Sequence, residues 1–109
     1  MGKKKVNPYE FDKKTREKIY ERDQRKCVYC HSAGMLGVAH VFIPRSKGGL
    51  GIEENGVLLC QRCHHEMDNG KNEVISDMIK YVCEVYLEAQ YEIDLKEIKH
   101  NKWKGYKYE

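Results

Sequence analysis

Residues 38–69 read VAHVFIPRSKGGLGIEENGVLLCQRCHHEMDN, and the order of residue types in this stretch decides how the chain folds. His40 sits between Ala39 and Val41 in a short β-branched and aromatic run, Val38 to Phe42, of the kind that forms strands. Pro44 ends that run, since proline has no N–H to give to a ladder. Arg45-Ser-Lys-Gly-Gly-Leu-Gly51 then reads as a flexible basic loop. After Asn55, the segment Gly56 to Leu59 reads as the return strand of a hairpin. Residues 61–69 form a short predicted helix, ended by Asn69-Gly70. It carries His64 and Asp68 four residues apart, on one helix face.

Two cysteine pairs bracket the hairpin. Cys27-Val-Tyr-Cys30 and Cys60-Gln-Arg-Cys63 each set two thiolates across a tight turn. Together they predict a closed four-thiolate zinc site, which stabilises folding and leaves no open position for chemistry. An iron–sulfur cluster could use the same ligands, and unligated thiols would leave a small core without a staple. His31 follows Cys30, but no thiol is missing, so it is assigned to the surface.

Working outward, 109 residues allow one hydrophobic core, so residues 1–109 are expected to be a single domain. A third of the chain is charged and the net charge is only +3, but its placement is uneven. Residues 1–30 carry ten Lys or Arg against five Asp or Glu, whereas residues 31–70 carry three against four and residues 71–109 seven against eight. The excess is therefore N-terminal. It suits an arm or helix face lying along phosphates, or equally a solubilising tail over residues 1–10 and an ordinary solvated helix. No apolar run approaches the roughly 20 residues that span a bilayer, so no membrane partner is expected. The first residues lack a signal-peptide stretch, and Val6 stands where myristoylation of Gly2 would need Ser or Thr. A cytoplasmic, reducing setting is expected, in which paired Cys-x-x-Cys motifs bind metal.

Helical periodicity flanks the central stretch on both sides. Asn7-Pro8 reads as a helix start, followed by an amphipathic helix from Phe11 to about Asp23 with Phe11, Thr15, Ile19 and Tyr20 on its apolar stripe. Asn72 is a good N-cap for a longer helix from Glu73 to about Gln90. Val74, Ile75, Met78, Ile79, Val82, Tyr86 and Leu87 are expected to face the core, with Met78 and Cys83 as packing residues. Beyond it the pattern is ambiguous. Tyr91, Ile93 and Leu95 alternate like a strand, yet Leu95 to Ile98 also fits a helical turn capped by Asp94. Trp103, Tyr106 and Tyr108 are assigned to closing over the core in preference to resting on nucleic acid.

His40, Asn55 and His64 follow one another at intervals of 15 and 9 residues, with Arg45-Ser-Lys-Gly-Gly between the first two. With the flanking zinc knuckles, residues 27–69 resemble the HNH (ββα-metal) endonuclease family of phage and bacterial type. The resemblance implies an α+β fold: a zinc-stapled core of a hairpin and a short helix, flanked by an N-terminal and a longer C-terminal helix. It implies hydrolysis of DNA phosphodiesters, with His40 as general base, Asn55 tying its loop, and His64 completing the catalytic set. His64 and Asp68 would hold a catalytic divalent cation, Mg²⁺ or Mn²⁺, distinct from the structural Zn²⁺ on Cys27, Cys30, Cys60 and Cys63. Arg45 and Lys47 would grip phosphate, with the loop glycines letting backbone approach the duplex. Double-stranded DNA is the implied partner, with a homodimer or a larger phage or restriction protein supplying specificity. Many members carry an acid or histidine just before the base; here that position is Ala39, which suits a hard ion that retains waters. His65 and Glu66 are reserve ligands pointing away from His64. The alternative is a catalytically inactive zinc-knuckle module that only binds nucleic acid, and RNA stays open as a substrate.

Overall fold

The computed structural model describes residues 7–99; Lys3 to Lys5 and the aromatic residues Trp103, Tyr106 and Tyr108 lie outside them. The centre is an antiparallel hairpin of β1 (Leu36–His40) and β2 (Gly56–Cys60), in which Leu36 faces Cys60 and His40 faces Gly56. The first strand begins two residues earlier than its composition suggests and stops at His40. Val41 and Phe42 leave the ladder because Asn55 takes their amides, Val41 N–H donating to its backbone carbonyl and Phe42 N–H to its side chain.

β2 is buried along its whole length, so each of its faces feeds a separate apolar cluster. On one side Val57 and Leu59 join Ala39, Val41, Ile79, Cys83 and Leu87. On the other, Leu58 joins Phe11 and Ile19. Each fully buried leucine or isoleucine contributes about 1.5–3 kcal/mol by leaving water.

Helix α1 (Lys13–Arg22) is capped by Asp12, whose carboxylate accepts from Thr15 N–H at 2.8 Å. Asn7 and Pro8 lie in a turn that precedes the helix. Helix α2 (Gln61–Asn69) follows β2 directly, and α3 (Glu73–Glu88) starts where Asn72 Oδ1 accepts from Val74 and Ile75 N–H. Of the two readings of the tail the helical one holds: α4 (Leu95–Ile98) is capped by Asp94, and Leu50 N–H donates to the Ile98 carbonyl. None of these helices is long and apolar enough to cross a membrane.

The expected core face of α3 needs correcting. Ile79, Cys83 and Leu87 enter the core, but Val74, Ile75, Met78 and Val82 are exposed, Met78 by 52%. The helix is apolar on more than one side, and a single hairpin is too narrow to cover more than one stripe of it.

The N-terminal helix is joined to the hairpin by a buried ionic cluster that periodicity does not reveal. Arg22 meets the Asp23 carboxylate through two nitrogens, at 2.7 and 3.0 Å, and also donates to the Glu53 and Gly56 carbonyls. Asp23 in turn accepts from Leu58 N–H and from the Tyr86 hydroxyl, linking α1, β2 and α3. Burial works against the Arg22 charge, but hydrogen bonds to Asp23 and Tyr91 outweigh it and hold the guanidinium protonated. Replacing one partner of such a pair strands the other's charge. Asp23→Ala should therefore cost roughly 3–5 kcal/mol, read as a lower urea midpoint, and an unchanged midpoint would show that the cluster is not structural.

Candidate active site and metal centre

At the open end of the hairpin the four expected cysteines converge. The sulfurs of Cys27, Cys30, Cys60 and Cys63 all lie within 4.8 Å of one another, and Cys30 and Cys60 are 3.6 Å apart. A tetrahedron of sulfurs about 2.3 Å from zinc has edges of about 3.8 Å, so the spacing fits that ion. Each knuckle also turns a backbone amide onto its first sulfur, Cys30 N–H to Cys27 and Cys63 N–H to Cys60. Burial and the neighbouring thiols push the Cys63 thiol well above its usual range. Four thiolates this close repel, and a cation such as zinc held among them would take the place of their protons. Cys83 packs behind them and is not part of the group; burial raises its thiol to about 12. His31 is exposed, as expected.

At the other end of the hairpin, His40 is the last residue of β1. Its Nε2 lies 2.7 Å from the Tyr9 carbonyl, and its ring packs against Phe11 with centroids 4.6 Å apart. Gly56, its cross-strand partner, makes room for that aromatic ring: a Cβ there would come within 2.5 Å of Phe11. Burial lowers the basicity of His40, as do the charges of Arg45 and His64, while the Tyr9 carbonyl and Asp68 act in the opposite sense.

Asn55 is fully buried and uses its whole carboxamide. Its oxygen accepts from Phe42 and Ile43 N–H, and its nitrogen donates to the Ile43 and Leu50 carbonyls. One side chain thus ties the backbone two and three residues past His40 to Leu50 further along the same loop.

His64 and Asp68 sit one turn apart on α2, with Nε2 and Oδ2 3.1 Å from each other. They share a cleft of about 540 Å³ with His40, Arg45, Ser46 and Lys80. His40, His64 and Asp68 therefore do line one space, apart from the sulfur cluster. Among the described residues only the four cysteines bring three or more potential ligands within reach of one ion, and Ala39 is buried in the core.

The basic loop differs from its expected form. It is not free: Arg45–Lys47 forms a 3₁₀ turn, and Gly49 packs so closely that a Cβ would meet the Ile43 carbonyl oxygen at 1.8 Å. This glycine serves the loop's own packing. Arg45 lines the cleft but is engaged with Glu10 at 3.0 Å, and Lys47 is exposed outside the cleft wall. His65 is exposed, and neither it nor Glu66 lines the cleft. The sequence reading missed three contributors. Tyr9 acts through a backbone carbonyl, which no residue type betrays; Phe11 reads only as packing; and Lys80 carries no signal that sets it apart from the other charged residues.

The protein as purified should hold about one zinc per chain. Chelation should lower its melting temperature by ~10 °C or more, because binding energy at a structural site is folding energy. Metal-free protein that melts unchanged would refute the structural role.

Residues 27–70 match the family model for HNH endonuclease. A comparison with curated proteins gives no match. Among solved structures, the chain is similar to the Type IV phosphorothioation-dependent restriction endonuclease ScoMcrA. That similarity has 25% identity and a TM-score of 0.55, covering 72% of this chain and 20% of that one. Hairpin, following helix, cysteine cluster and family match agree, and residues 27–70 are an HNH endonuclease domain of the ββα-metal type.

Proposed function

We propose that this chain hydrolyses phosphodiester bonds in double-stranded DNA, with His40 as general base. The observation that carries this reading is the Tyr9 carbonyl on His40 Nε2, at the wall of the cleft that also holds His64 and Asp68. A carbonyl oxygen can only accept, so Nε2 keeps the ring proton and Nδ1 is the basic nitrogen of the neutral imidazole. Nδ1 takes a proton from water as the water oxygen attacks phosphorus. The Phe11 ring and partial burial keep the imidazole neutral and limit its rotation.

Asn55 acts as a positioning residue, since its four hydrogen bonds hold the backbone that leaves His40. His64 and Asp68 offer an imidazole nitrogen and a carboxylate oxygen to a divalent cation, Mg²⁺ or Mn²⁺. When bound there, such a cation supplies charge against the phosphate and the departing oxygen. Arg45 and Lys47 meet neighbouring phosphates, Arg45 after leaving Glu10. A second copy or a larger phage or restriction partner would add sequence selectivity. The similarity to a restriction endonuclease supports the nuclease reading.

One observation favours the second reading, a zinc-knuckle module that binds nucleic acid without chemistry. Ala39 leaves the cleft with two metal donors besides the base. Plasmid incubated with Mg²⁺ or Mn²⁺ separates the readings. Wild type should nick or cut it, and His40→Ala should be slower by about 10²–10⁴-fold while still binding DNA. Absence of cleavage by wild type with any divalent ion would leave only the binding module.

The pH dependence has a definite sign. Burial lowers the His40 pKa, so the base stays neutral to lower pH than a free imidazole. The acidic limb of kcat/KM should have its midpoint below 6.5, the ordinary histidine value. A midpoint above that value would show that burial does not govern this group.

A further inference from the structure

The cleft has a cation that belongs to no part of the HNH motif. Lys80 lines it from α3, outside the family match over residues 27–70, together with His40, His64 and Asp68. Its direction follows from the helix contact below it. Ser76, one turn earlier on α3, donates its hydroxyl to the Met67 carbonyl at 2.6 Å, which pins that stripe of α3 against the end of α2. Lys80 is four residues on, half-buried, and so faces the same end of α2, where Asp68 and Asn69 complete the wall. Lys80 forms no ion pair among the described residues.

The other basic residues are less well placed. Arg45 is held by Glu10, and Lys47 lies outside the cleft wall. Among the described residues Asp68 is the only acid lining the cleft, and with Arg45 paired to Glu10, Lys80 is the cation there that no carboxylate holds in an ion pair. An ammonium on a half-buried stem suits a nonbridging phosphate oxygen, a point charge that needs no planar partner. It also adds charge on a site where Ala39 withholds a ligand.

From this we infer that Lys80 is a phosphate-binding residue of the cleft, its ammonium contacting a nonbridging oxygen of the phosphodiester seated beside His40. The inference rests on the nuclease reading of that cleft and extends it to a residue of α3.

The test uses the zinc-loaded full chain with Lys80→Ala and Lys80→Arg, both checked for unchanged zinc content and melting. Two readouts are taken: plasmid cleavage, and binding of a fluorescent duplex across a salt series in the His40→Ala background. Lys80→Ala should lower kcat/KM by about 10–100-fold. It should also reduce the slope of log K against log salt by about 0.9, one phosphate contact on B-DNA. Lys80→Arg should keep the slope and most of the rate. Cleavage within twofold of wild type, or an unchanged salt slope, overturns the assignment while leaving His40 in place. If wild type cleaves nothing, the nuclease reading fails, and the salt slope alone decides whether Lys80 meets phosphate.

Discussion

Cys60 is the residue on which the rest of the molecule depends. It ends β2, its sulfur caps α2 by accepting from Cys63 N–H, and it is one of the four convergent thiols. Strand end, helix start and candidate metal ligand are therefore one position, and the direction in which α2 leaves the hairpin brings Cys60 and Cys63 to face Cys27 and Cys30. A cation held by the four sulfurs would fix that direction and staple the chain at the same moment. Because α2 then runs back along the hairpin, His64 and Asp68 come to lie opposite the far end of β1, where His40 sits.

The two ends of the hairpin are held by different chemistry. The open end relies on sulfur. The closed end relies on the Asn55 carboxamide, whose four partners all belong to the loop and the residues entering it. Asn55 has no exposed surface, so each bond lost there would leave a buried backbone group without water to replace it. Between these ends, the Arg22–Asp23 cluster ties α1 and α3 to β2 and brings in the segment that carries Tyr9 and Phe11.

The proposed chemistry is thereby kept apart from the sulfur cluster. The sulfur site is closed and packed against the core, while the His40 cleft opens to solvent and is lined with nitrogen and oxygen donors. For the proposed role of His40 as a base, its tautomer must be chosen and its neutral form favoured. The Tyr9 carbonyl supplies the first and the packing around His40 the second. Neither comes from the motif itself; both come from residues just before α1.

The sequence alone determined the elements whose signal is local or spaced. Cys-x-x-Cys pairs name their ligand and geometry, Asn72 and Asp94 announce helix starts, and His40, Asn55 and His64 carry a recognisable order. These are properties of residue type and interval, so they survive without coordinates. Tertiary structure decided the rest. The stripe of α3 that enters the core could not be chosen from a helix apolar on several sides, because the width of the hairpin makes that choice. The loop glycines serve internal packing, Arg45 is spent on Glu10, and Lys80 reaches the cleft from a distant helix. The partner of His40 is a main-chain oxygen, and every residue has one. Only the path of the folded chain selects which carbonyl arrives.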